Sequence, residues 1–255
     1  MKYTKGDTIV GFEKLWFLQK RHATRYASTQ SPLSPPKNPS HSLVELAVKP
    51  TVALLDSRSS LPEYSFYDTI PQGERRKDFV AAIIWADVQN YTNPEDFIAR
   101  NNYFFISPSA DTLTGTIPAL KLHKIPPLYS HAISRDKMID LFRLITDVPA
   151  ESWDLESLRA VISEVVSRGV SLTLEKPVGQ IGPDTETEAV EMALKKSWIR
   201  LVHGYLRWVL VAGKPGPDGV EMMKILGKEE MGRRLAVAAE VLRQGGGASE
   251  RRVAL

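Results

Sequence analysis

An all-α protein is what this sequence predicts, on three observations. No stretch of any length alternates apolar with polar residues, and no Asn-Gly or Asp-Gly joins two such stretches as a hairpin would require. Apolar residues instead recur at steps of three and four, the stride of a helix that buries one face. These runs are bounded by residue types that cap helices or break them.

Residues 12–27 set Phe12, Leu15, Trp16 and Leu18 against Lys14, Lys20, Arg21 and Arg25, the pattern of a short amphipathic helix. The stretch STQSPLSPPKNPSHS then places four prolines where regular hydrogen bonding would need N–H groups, so it reads as a linker. A helix is expected at about 42–56, followed by the loop SSLPEYSFYDTIPQG. Residues 74–90 carry Phe79, Ile83 and Ile84 at helical spacing. Asn93 before Pro94 marks the next helix start, because an Asn side chain accepts a free amide and proline needs none at the first position. Residues 106–132, with four prolines and few periodic apolars, read as loop. Ser134 caps a helix over SRDKMIDLFRLI.

Beyond Pro149, where two helical subdomains are expected to meet, Asp154 caps a run with Leu155, Leu158, Val161, Ile162, Val165 and Val166 that Gly169 is expected to stop. Thr185 and Glu188 give a capping-box signal for a long helix. The sequence GKPGPDG ends it, with Gly213 at the left-handed position, Gly216 and Pro217 turning the chain and Asp218 capping the next helix. Two short helices are expected at about 218–226 and 228–243, and then a polar tail. The implied division is 1–41, 42–148, 149–243 and 244–255.

Composition narrows the function. The chain has 255 residues, 43% of them apolar and 25% charged, the balance of a globular protein with a proper core. No apolar run approaches the roughly 20 residues that span a bilayer. The absence of cysteine removes disulfides, thiolate catalysis and thiolate zinc sites. His22, His41, His123, His131 and His203 form no i, i+4 pair, and neither a phosphate-cradling P-loop nor a G-x-S-x-G elbow occurs. A binder or scaffold is therefore expected rather than a self-sufficient catalyst, with no metal and no cofactor in this chain.

The charge is unevenly spread. Residues 1–40 hold seven basic and two acidic side chains and residues 195–255 hold twelve and six, which leaves −8 between them although the whole carries +3. Basic ends around an acidic middle point to a localised contact with an anion. Within the basic end, Lys196, Arg200, His203 and Arg207 fall in one arc of the long helix, opposite Leu194, Trp198, Leu201 and Tyr205. Such a row suits phosphates, although any amphipathic helix must put polar groups outside. Trp198, Tyr205 and Trp208 read as core. Lys214 in the turn, and Arg233 and Arg234 beyond it, are further candidates for phosphate contact.

The segment HGYLRWVLVAGKPGPDGVEMMKILGKEEMGRRL, residues 203–235, resembles the C-terminal end of glutamyl-tRNA synthetase, particularly the mitochondrial form of fungi. That family closes with L-R-x-A-L, a glycine turn with G-P, a methionine-containing helix, L-G-[KR]-E and R-L. Leu206, Arg207 and Leu210, then Gly213, Gly216 and Pro217, then Met223, then Leu226, Gly227, Lys228 and Glu229, then Arg234 and Leu235 match it, with Val209 in place of the alanine. FEKLWFLQKRHA resembles the segment after the catalytic half, and ARNNYFFISP one within the anticodon-side region. The H-I-G-H-like and K-M-S-K-S-like motifs that bind ATP are missing.

The resemblance implies the tRNA-binding part of a glutamate–tRNA ligase, a helical cradle for the anticodon stem and loop of the tRNA for glutamate. It would serve mitochondrial translation when joined to a catalytic half that supplies the ATP and magnesium chemistry. The mitochondrial matrix is the implied compartment, with the cytoplasm as the alternative. Alone the chain should not charge tRNA. The rival expectation is a helical module, derived from that part, that docks onto a protein. Arg207 has its own alternative as a hydrogen-bonding residue beneath the G-P turn.

Overall fold

Helices make up the regular structure of the computed structural model, which describes residues 47–87, 90–123, 125, 133–174 and 184–244, with the backbone alone for 184–187. No β-strand occurs among the described residues. None of their helices is long and apolar enough to cross a membrane. The helix expected at 12–27, the proline-rich linker, the polar tail and the Thr185 side chain of the expected capping box lie outside the described residues.

The chain divides into two units, residues 1–106 and 107–255. In the first, α1 (Lys49–Arg58) carries Pro50 in its first turn, where an N–H would be unpaired anyway, and the start expected at 42 lies outside the described residues. α2 (Ser65–Thr69), α3 (Glu74–Ala86) and α4 (Pro94–Arg100) come next. Asn93 caps α4 as expected, its side chain accepting from the Asp96 amide at 2.8 Å. Leu55, Ile83, Ile84, Phe97, Phe104 and Phe105 fill the core. Phe66, Phe79 and Phe105 meet edge to face within it, at 6.0 and 6.3 Å between neighbouring rings.

One cation is buried among the described residues of this unit. The Arg76 side chain, 2% exposed, donates to Asp56 at 2.6 Å, to Asp68 at 3.2 Å and to the Ile70 carbonyl at 2.9 Å, beneath the Tyr67 ring. A guanidinium offers five donors in a fixed plane, so one side chain can gather three partners and offset its desolvation. The Tyr67 hydroxyl donates to the same Asp56 oxygen at 3.1 Å. Burial first, and the Asp56 charge second, push that phenol far above its ordinary range.

The second unit holds α5 (Ala110–Thr114), α6 (Arg135–Asp147), α7 (Leu155–Leu174), α8 (Asp184–Val211) and α9 (Gly219–Gln244). α8 packs on α7 and α9, and α6 packs on the same two helices. That packing moves the expected boundary: α6 belongs with the C-terminal helices, so the division falls after Ile106 and not at Pro149. α5 is a second correction. It interrupts the expected 106–132 loop, Ser109 capping it by accepting from the Thr112 amide, and Leu113 is buried. Ser134 caps α6 as expected.

Gly169 is the third correction. It does not stop α7, which continues to Leu174. It is buried because the Trp198 indole lies where a side chain would stand: a Cβ there would be 2.5 Å from Trp198 Cδ2. The indole Nε1 donates to Thr173 Oγ1 at 3.0 Å, and Thr173 donates back to the Gly169 carbonyl at 2.9 Å. The two helices therefore cross at the one position that lacks a side chain. Gly227, by contrast, does break α9, with φ +81° and ψ 166°, and so separates the two short helices that were expected.

Asp154 begins α7 as expected, its Oδ1 accepting from the Ser157 amide at 2.8 Å. That bond, first among several, holds the carboxyl below its ordinary pKa. A depressed folded pKa means stability that is present above the unfolded value and lost as pH falls through the folded one. Asp154→Asn keeps an acceptor without the charge. Its melting temperature should therefore fall less steeply than the parent's on acidification through and below the carboxylate range, in a thermal titration of both proteins.

Candidate nucleic-acid interface

α8 is the helix that matters here, because its burial fixes which side chains face outward. Leu194, Trp198, Leu201, Val202, Tyr205 and Leu206 are buried, and at 3.6 residues per turn that forces the opposite arc into solvent. Lys196, Arg200 and His203 lie on that arc and are exposed. Trp198, Tyr205 and Trp208 are core residues as expected, each 1% exposed. Trp208 is held by its Nε1, which donates to the Leu113 carbonyl at 3.0 Å.

The exposed arc contains more than the cations singled out in the sequence. Lys195 is exposed beside Lys196, and Met192 and Ile199 stand out at 54% and 39% exposure. Their spacing of 192, 195, 196, 199, 200 and 203 was the available signal. It is one helical face in which two apolar residues interleave with four basic or titratable ones. Glu188 and Glu191 occupy the same helix toward its start, so the positive face belongs to its later turns.

Arg207 and Lys214 belong to the turn instead. Arg207 Nη1 donates to the Lys214 carbonyl at 3.1 Å and Nη2 to the Pro217 carbonyl at 3.5 Å. Ala212 and Gly213 both have positive φ, 51° and 81°, which reverses the chain at the helix end. The Gly213 amide returns to the Arg207 carbonyl at 3.3 Å. The arginine thus spans the turn from both backbone and side chain, which is the structural alternative raised for it. Asp218 caps α9 as expected, accepting from Val220 at 2.9 Å and Glu221 at 3.3 Å. Lys214, Gly213 and Gly216 are exposed, with Pro217 partly covered.

Arg234 must be withdrawn as a phosphate contact. It is 2% exposed, and it donates to Glu230 Oε1 and to the Leu210 carbonyl, both at 2.6 Å. Leu210 lies in the last turn of α8, where helical carbonyls lack amide partners and carry partial negative charge. The buried arginine closes that end. Burial lowers its pKa, opposed by the Glu230 charge. Arg233 is half exposed, but Glu230 answers its charge too, and its Nη2 reaches Ser107 Oγ at 2.6 Å. The candidates therefore resolve into three groups: an exposed row on α8, a turn brace, and a buried ion pair.

No group of three or more His, Asp or Glu side chains that could hold a metal occurs among the described residues. Compared with protein-family models, with curated proteins and with solved structures, the chain matches none.

Proposed function

We propose that the C-terminal unit binds RNA through the outward face of α8. The particular RNA is the anticodon side of the tRNA for glutamate, as the motif resemblance implies, and the chain is the tRNA-binding portion of a mitochondrial-type glutamate–tRNA ligase. One observation carries the reading. Lys196, Arg200 and His203 recur about once per turn on a helix whose other face is sealed in the core, and among the described residues no side-chain hydrogen bond or ion pair engages them. Lys195 widens it. Arginine and lysine held this way neutralise backbone phosphates, which supplies affinity without reading sequence.

The test is a titration of the triple variant K196A/R200A/H203A against that tRNA between about 50 and 200 mM salt. All three side chains are exposed, so folding should be unchanged. The expected result is a loss of affinity of about tenfold or more at the lower salt, with the salt slope reduced by about one for each phosphate contact removed. An unaltered slope overturns the assignment. A protein-docking module remains the second reading because of exposed Met192 and Ile199 on the same face. Its mark is a complex that resists salt and fails when Ile199 is made charged.

A further inference from the structure

A groove of about 260 Å³ opens between α6 and α9, with α8 beneath it. One wall is unusually low: Gly232, Ala236 and Ala239 come from one face of α9. Phe142 and Tyr205 form the aromatic side, their ring centroids 4.3 Å apart. Arg143 and Arg243 line the edge, 65% and 50% exposed, each with one carboxylate neighbour, Asp140 at 3.2 Å and Glu240 at 3.8 Å. One partner leaves most of the five donors on a guanidinium unused.

Tyr205 is the telling residue. It is 1% exposed, yet its hydroxyl has no hydrogen-bond partner among the described residues. Every described side-chain oxygen or nitrogen that is sealed from solvent does have one. The hydroxyl must therefore open onto the groove that its ring lines. Water reaches this phenol through the groove, so a ligand that covers it must replace the bond to water. An alkyl chain would leave it unmet. A flat ring with a polar edge would fit the low wall of small residues and accept from the phenol. The two guanidinia would then meet an anionic group on that ring's substituent.

We propose that this groove binds a nucleotide, with the base against the Gly232, Ala236 and Ala239 wall, its edge at the Tyr205 hydroxyl, and the phosphate between Arg143 and Arg243. The volume suits a small planar group, lying just below the range of about 300–1,000 Å³ for drug-sized ligand sites. A free mononucleotide and a nucleotide unstacked from an RNA share this chemistry. The groove owes nothing to the exposed face of α8, so the two proposals stand or fall separately.

Gly232→Leu is the decisive variant. A Cβ at this position meets nothing within 4 Å, so the stem of a leucine is accommodated, its branch enters the groove, and the change favours the helix. Full-length protein, parent, Gly232→Leu and Tyr205→Phe, is titrated calorimetrically with AMP, UMP, adenosine and ribose 5-phosphate, and with an RNA hairpin bearing an unpaired loop. Supporting results are saturation by a mononucleotide at a Kd below about 1 mM, or hairpin binding, that Gly232→Leu weakens at least about tenfold and Tyr205→Phe about threefold or more. In the first case adenosine and ribose 5-phosphate bind more weakly than AMP, and the source is a free nucleotide. In the second the source is RNA. The proposal is overturned if neither probe binds, or if Gly232→Leu, folded, binds both as the parent does.

Discussion

Arg234→Ala should lower the unfolding free energy of the C-terminal unit by about 3 kcal/mol, at the lower end of what breaking a buried ion pair costs. The substitution removes two hydrogen bonds of 2.6 Å, empties the volume of a large side chain and strands the Leu210 carbonyl. Arg233 still answers the Glu230 charge, which keeps the loss from rising further. Arg233→Ala is the matched comparison. Half exposed and screened, that side chain should contribute no more than about 1 kcal/mol. Urea denaturation of both variants reads the difference, and equal midpoints would refute the buried-cap role. A paired Glu230→Gln/Arg234→Met change should recover part of the loss, since neither residue is then left as an isolated charge.

Gly169→Ala is expected to destabilise the same unit by about 2 kcal/mol. In an exposed helix the change would gain about 1 kcal/mol of propensity. Here the new methyl lands 2.5 Å from the Trp198 ring, and overpacking of this kind costs about 3 kcal/mol. The indole cannot simply turn away, because Thr173 holds its Nε1. Gly204 supplies the control: it lies on the exposed face of α8, a Cβ there meets nothing within 4 Å, and Gly204→Ala should stabilise. Thermal unfolding of the two variants should shift in opposite directions. A rise for both would mean the helices do not cross at Gly169.

What the sequence made legible was local chemistry. Asn93, Ser134, Asp154 and Asp218 cap helices because a short polar side chain reaches an amide two or three residues on, a fact written within a few positions. Gly213 and Gly227 break the chain for an equally local reason, since both adopt positive φ. The exposure of Lys196, Arg200 and His203 followed from helical period alone. What was hidden depends on residues far away in the chain. Gly169 reads as a stop until Trp198 is placed upon it. Arg234 reads like its neighbour Arg233 until the end of α8 arrives to take its guanidinium. α5 is too short to show a period, and only the burial of Leu113 against the C-terminal helices explains it.

Among the described residues, four carbonyls near helix breaks or ends in the C-terminal unit draw a donor from a distant element. Arg234 reaches Leu210, Trp208 reaches Leu113, Trp153 reaches Met223 in the last turn before Gly227, and Arg135 reaches Leu242. Short helices ordinarily fray from their tips, each at its own pace. Here a tip cannot loosen without releasing a side chain anchored elsewhere, so fraying at one place disturbs packing at another. The unit is consequently a poor source of autonomous fragments: a peptide excised around α8 would lose the clasp on its final turn, and helicity with it.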